Sequence, residues 1–152
     1  MSIYNIPISS MDGTTTTLMP YRDRVLLVVN VASQCGLTPQ YKTLESLHKT
    51  FEDRGLSVLG FPSNQFEQEP GTDDEIFDFC SKNYGVSFPI FSKVSINGED
   101  EHPLYAALKA AAAAGRTPEP ISWNFEKFVV APGARSHDSA PELHPMRPKS
   151  RR

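Results

Sequence analysis

The stretch from Val25 to Gly36, Val-Leu-Leu-Val-Val-Asn-Val-Ala-Ser-Gln-Cys-Gly, constrains this chain more than any other. Val25 to Val31 is a near-continuous apolar run rich in β-branched residues. Such a run predicts a strand buried on both faces, as in a parallel sheet. It passes through Ala-Ser-Gln-Cys-Gly straight into Leu-Thr-Pro-Gln-Tyr. Thr38 is suited to cap a helix, and Pro39 suits its first turn, where a missing N–H costs nothing. Leu44, Leu47 and Phe51 then share one helical face. Cys35 therefore falls in a strand-to-helix turn, near the positive end of a helix dipole, where the thiolate is favoured. Two readings of Cys35 follow from position alone: a small buried hydrophobe, or a reactive thiol.

The rest of the chain supplies elements of the same kind. Ile3–Ser9 reads as a short strand and Thr14–Leu18 as its hairpin partner across Met11-Asp-Gly. The helix after Cys35 is expected to run from about Thr38 to Asp53 and to stop at Gly55. Leu56–Phe61 reads as a second buried strand, and strand–helix–strand implies a right-handed parallel crossover. Pro62–Gly71 is a loop at that strand's C-terminal end, where ligand chemistry collects in open α/β sheets. Thr72-Asp-Asp-Glu75 is a capping box opening a helix whose apolar face holds Ile76, Phe77, Cys80 and Tyr84. Phe88–Ile96 reads as a third strand, Asn97-Gly98 as a turn, and Pro103–Ala114 as a helix ended by Gly115. Ile121–Val130 reads as a strand with Trp123 and Asn124 near its start.

Composition narrows the function. The chain has 152 residues, enough for one domain with a sizeable core, and a net charge of −3. Nothing in that balance calls for nucleic acid or a membrane surface. Residues 131–152 depart from it, with five Lys/Arg against Asp138 and Glu142. No signal peptide or membrane-length apolar run is seen, so a cytoplasmic setting is expected. Two cysteines, Cys35 and Cys80, form no disulfide framework, and in a reducing compartment they read as redox-active. His48, His102, His137 and His144 have no metal-ligand spacing, so no metal is expected.

The order Asn-Val-Ala-Ser-x-Cys-Gly-x-Thr resembles the active-site stretch of the glutathione peroxidase family in its cysteine form. The resemblance continues through Gly60-Phe-Pro-Ser-Asn-Gln-Phe, Gln68-Glu-Pro-Gly, Phe88-Pro-Ile-Phe-Ser-Lys-Val and Trp123-Asn-Phe-Glu-Lys-Phe, and stops near residue 130. It implies an α/β, thioredoxin-like fold: a mixed central sheet flanked by helices. It also implies a peroxidase in which Cys35 attacks hydrogen peroxide or an organic hydroperoxide and becomes a sulfenic acid. Gln68, Trp123 and Asn124 then fall on the neutral donors that hold the sulfur and the developing oxyanion. Each alone also reads as an ordinary structural residue. Glu75-Ile-Phe-Asp-Phe-Cys80 resembles the helix that carries the resolving cysteine of thioredoxin-dependent members. Cys80 is thereby the expected partner of Cys35 in an intramolecular disulfide, reduced by thioredoxin. Glutathione is the alternative reductant, though Gln34 stands where many relatives have lysine, and Glu67, Glu69, Asp73 and Asp74 would repel an anionic tripeptide. A redox sensor or an inactive copy is the alternative of another class, and the protein is expected to be a monomer without a cofactor.

Two departures matter. The loop between Phe66 and Gln68 is one residue shorter than the family's, its glycine is gone, and the family's middle cysteine is Ser63. Gln68 is therefore expected to be displaced. After residue 130 the family's closing strand, ending Arg-Phe-Ser-Pro, and its final helix have no counterpart. Residues 1–130 thus read as the thioredoxin-like domain and 131–152 as a disordered basic tail or a displaced reading frame. Codons for His137–Pro141 exist whose overlapping frame encodes Arg-Phe-Ser-Pro. The closing strand and helix are accordingly expected to be missing.

Overall fold

A computed structural model describes residues 2–133 and the backbone of Leu143–Met146. The central strand β3 (Val25–Val31) pairs in parallel with β4 (Leu56–Pro62), with Leu27 opposite Val58 and Val31 opposite Pro62. On its other edge it pairs antiparallel with β5 (Lys127–Val130), and β5 with β6 (Leu143–Met146). The sheet order is β4-β3-β5-β6, so the sheet is mixed. A separate hairpin joins β1 (Ile8–Ser9) and β2 (Thr15–Thr16), shorter than the expected Ile3–Ser9 and Thr14–Leu18, because Ile3–Asn5 winds into a 3-10 turn capped by Ser2.

The alternation of β3 builds two layers. Leu26 and Val28 face a core completed by Leu59, Phe61, Phe128 and helix α3 (Pro103–Ala113), through Leu104, Tyr105 and Leu108. Leu27, Val29 and Val31 face the other way, against α1 (Gln40–Phe51) and α2 (Asp73–Tyr84). Each fully buried Val, Leu, Ile or Phe in these layers contributes about 1.5–3 kcal/mol relative to exposure. The buried face of α1 is Tyr41, Leu44, Glu45 and His48, more polar than the Leu44–Leu47–Phe51 stripe suggested. His48 fits because its Nδ1 accepts the Val58 N–H at 3.2 Å. Gly55 ends this crossover at φ 100°, where a residue with a Cβ would be strained.

Several expectations need correction. Thr38 does not cap α1; its side chain turns back to the Cys35 loop, and Pro39 is the cap position. Phe77 is 55% exposed, and Phe79 packs in its place against Tyr41 and Tyr84. Phe88–Ile96 is not a strand. Only single bridges form, Gly60 with Ile90 and Ser10 with Phe91, because side chains take other donors of the segment: Asp73 the Lys93 N–H, and Gln65 the Ile96 N–H. The strand expected over Ile121–Val130 is confined to Lys127–Val130. Ahead of it, Glu126 accepts from the Ser122 N–H and hydroxyl and Phe125 sits at φ 65°, so residues 122–125 form a turn.

The expectation that the closing strand is missing is also overturned. β6 lies antiparallel to β5, Val130 opposite Leu143 and Lys127 opposite Met146. An open edge of β5 offers unpaired N–H and C=O groups, which any extended segment can satisfy through its backbone. Pro145 is tolerated because β6 is itself the outermost strand. Past residue 130, the Gly133 N–H donates to Arg22 O at 2.8 Å. Residues 134–142 and 147–152, on which the tail and the missing final helix were placed, lie outside the described residues.

Candidate active site

Cys35 sits where β3 leaves the sheet and is 8% exposed. Three local bonds shape its loop. The Cys35 N–H donates to Thr38 Oγ1 at 2.9 Å, the Thr38 hydroxyl donates to Ala32 O at 2.9 Å, and the Thr38 N–H donates to Cys35 O at 3.0 Å. Thr38 thus clamps both ends of the turn, a side-chain-to-backbone role that competes with capping. The Leu37 N–H then points at Cys35 Sγ, 3.3 Å away. A backbone donor aimed at sulfur stabilises negative charge there.

The shortened loop joins Gln68 to both Asn124 and the Cys35 turn. Asn124 Nδ2 donates to Gln68 Oε1 at 2.8 Å, and Gln68 O accepts the Gln34 N–H at 3.0 Å, tying the loop to the residue before Cys35. Within this loop Glu67 takes φ 60°. That conformation costs an L-residue about 1–2 kcal/mol. Phe125, beside Asn124, is left-handed too. Each amide of the pair is therefore flanked by a strained residue, as is common where geometry is held for function. The Asn124 side is fixed to β3: the Phe125 N–H donates to Asn30 O at 2.6 Å, and Asn30 Nδ2 donates to Trp123 O at 3.0 Å. Trp123 leans on Phe66, ring centroids 5.0 Å apart, and packs on the same apolar layer as Cys35. Ser63, in place of the family's middle cysteine, is buried and accepts the Gln65 N–H at 3.2 Å.

Cys80 is a free thiol on the inner face of α2, 2% exposed, in that same layer. The capping box that starts α2 is complete, the Glu75 N–H bonding Thr72 Oγ1 and the Thr72 N–H bonding Glu75 Oε1. Burial pushes the Cys80 thiol up to about 11; the Tyr41 hydroxyl eases this and the charge of Glu69 adds to it. Cys35 is likewise free, so the two thiols share one core without being joined.

Sequence reasoning missed three residues here. Thr38 was legible in the Cys-x-x-Thr spacing, a common side-chain turn. Tyr41 and Glu69, buried around Cys80, carried no signal beyond lying inside quoted motifs. No group of three or more His, Cys, Asp or Glu among the described residues is placed to hold a metal.

The sequence matches the family described as "Glutathione peroxidase" over residues 3–109. The chain belongs to the glutathione peroxidase family. It is 52% identical over 131 residues to a "Glutathione peroxidase homolog BsaA" of Halalkalibacterium halodurans, covering 86% of this chain and 83% of that protein. It is 50% identical to the "Thioredoxin/glutathione peroxidase BtuE" of Escherichia coli, over 85% and 81% of the two chains. It is 49% identical to the "Hydroperoxy fatty acid reductase gpx1" of Synechocystis, over 85% and 80%. Among solved structures, GPX1 of T. cruzi superposes with a TM-score of 0.65 at 31% identity, over 91% of each chain. A thioredoxin-family thiol:disulfide interchange protein from Chlorobium tepidum gives 0.62 at 13% identity, over 93% and 90%, a likeness of fold.

Proposed function

We propose that this chain, a thiol peroxidase of the glutathione peroxidase family, runs a two-cysteine cycle fed by thioredoxin. The Cys35 thiolate attacks one peroxide oxygen. The O–O bond breaks, water or an alcohol leaves, and Cys35 carries a sulfenic acid. Gln68, Trp123 and Asn124 supply neutral donors around the reacting sulfur, which need no buried cation to stabilise the anion. Cys80 then attacks the sulfenic sulfur, water leaves, and a Cys35–Cys80 disulfide forms. Because Cys80 lies mid-helix on a packed face, α2 unwinds locally to bring the Cα atoms within the roughly 7 Å a disulfide spans.

The observation that carries this reading is that both thiols are free and buried in one apolar layer between the sheet, α1 and α2. Hydrogen peroxide and organic hydroperoxides are the substrates it fits. A reducing, cytoplasmic setting agrees with two unpaired thiols. No helix among the described residues is long and apolar enough to cross a membrane. Gln34, Glu67 and Asp74 are exposed around the cysteine loop and the start of α2. They offer an anionic tripeptide no cationic grip, which favours a protein reductant. Glu69 adds nothing to that repulsion, because it is buried. Steady-state peroxide reduction with thioredoxin or glutathione as sole reductant tests the assignment. We expect thioredoxin to support turnover at least about tenfold faster; equal or faster turnover with glutathione reverses it.

A further inference from the structure

A thiol must shed its proton before it attacks. Cys80 is 2% exposed inside a packed helix face, and burial pushes its thiol up, so the thiolate is scarce at neutral pH. The resolving step therefore needs a base, and two ionisable side chains bear on Cys80: Tyr41 from α1 and Glu69 from the loop after β4. Burial holds the Tyr41 phenol far above its ordinary range, so Tyr41 stays protonated and is no base. Glu69 is left.

Its placement is unusual for a carboxylate. Glu69 is 1% exposed, and its Oε2 meets no hydrogen-bond partner; nor do the Tyr41 and Ser33 hydroxyls, in good geometry. Its backbone is pinned on both sides, the N–H donating to Asn64 Oδ1 at 2.9 Å and the carbonyl accepting from Lys93 Nζ at 3.0 Å. A cavity of about 360 Å³ opens in front of it, lined also by Ser33, Gln34, Ile76 and Phe79. Two of those residues immediately precede Cys35 and two lie on α2 ahead of Cys80. The space thus lies between the Cys35 turn and the helix that carries Cys80. Burial raises the Glu69 carboxyl toward neutrality, and the neighbouring Ser33 and the Lys93 charge only partly oppose that rise. Glu75, the other acid lining the cavity, is committed to the α2 capping box.

We propose that Glu69 takes the Cys80 proton as the resolving bond forms and returns it to the hydroxyl leaving oxidised Cys35. The step balances: the Cys80 S–H and Cys35 S–OH bonds break, the S–S bond and one water form, and Glu69 ends as it began. The inference rests on the two-cysteine reading and adds its base. Glu69→Gln keeps shape and removes titration.

Single-turnover mixing with one equivalent of peroxide, quenched by alkylation and read by mass spectrometry, separates the two steps. Cys35 oxidation should stay within about twofold in Glu69→Gln. Disulfide formation should slow about a hundredfold, the usual worth of a positioned base. The native rate should rise through the Glu69 titration and level off. The variant's rate should instead climb about tenfold per pH unit toward 11, as hydroxide replaces the base. Glu69→Asp, which keeps the group one methylene short, should restore the levelling, and it carries the test if Glu69→Gln fails to fold. An unchanged disulfide rate, an unchanged pH profile, or equal slowing of both steps overturns the proposal. A native protein that forms sulfenic acid but never the disulfide overturns the two-cysteine reading and this base with it. A variant that leaves only the second step intact overturns the base alone.

Discussion

Cys35 and Cys80 are the same residue in one apolar layer, yet their surroundings are opposite. Cys35 stands in a turn whose backbone is clamped by Thr38 and whose sulfur receives the Leu37 N–H. Cys80 stands inside a capped helix, in the buried layer that also holds Tyr41, Ile76 and Val31, with its thiol pushed up by burial. A sulfur that already meets a backbone N–H suits a first attacker. A protonated, helix-bound thiol suits a second attacker that must stay unreactive until the first is oxidised. The difference teaches that, in the proposed cycle, the division of labour follows from backbone donors and burial rather than from the cysteines.

The largest effect should come from removing the ready sulfur. Cys35→Ser should abolish peroxide consumption while circular dichroism shows an intact fold; turnover at the native rate breaks the comparison outright. Next, Cys80→Ser should still consume one equivalent of peroxide but lose thioredoxin-supported turnover. Its Cys35 should then accumulate as sulfinic acid on excess peroxide. Full thioredoxin turnover in that variant makes Cys80 a plain core residue.

Smaller changes sharpen the contrast. Thr38→Val leaves the buried Cys35 N–H and Ala32 C=O without a partner and should cost about 2–3 kcal/mol in urea unfolding. It should also slow Cys35 oxidation, whereas Thr38→Ser should keep both near native. The least effect is a pH signature of Cys80. Its thiol ionises near 9.0 in the unfolded chain and near 11 in the folded one. The unfolded state therefore holds fewer protons in that window, so this contribution to stability is complete below pH 9 and is lost as pH rises to 11. Tyr41, raised by burial as well, keeps some loss at the alkaline end. Chemical denaturation across pH 8–11 should fall less steeply in Cys80→Ala than in the native protein.

The strands β3 and β4 were legible because apolar β-branched runs need two covered faces, and α2 because its capping box is local. Cys35, Gln68, Trp123 and Asn124 came from ordered motifs, and the structure bonds Gln68 to Asn124 despite the shorter loop. What stayed hidden was decided by tertiary partners. Phe88–Ile96 has strand composition, but Asp73 and Gln65 take donors a ladder would use. Phe77 and Phe79 are equivalent in sequence, and only the ring of Tyr41 chooses between them. β6 escaped because pairing along an open edge needs backbone alone, and Leu143–Met146 has no pattern to announce it. Thr38 escaped because a threonine before a proline fits a helix cap equally well.

The central claim is that the two buried thiols meet. Peptide mass mapping after one equivalent of peroxide tests it most directly. The account predicts a single new species in which the peptides holding Cys35 and Cys80 are joined by a disulfide. Oxidised Cys35 beside a Cys80 that still alkylates as a free thiol would contradict it.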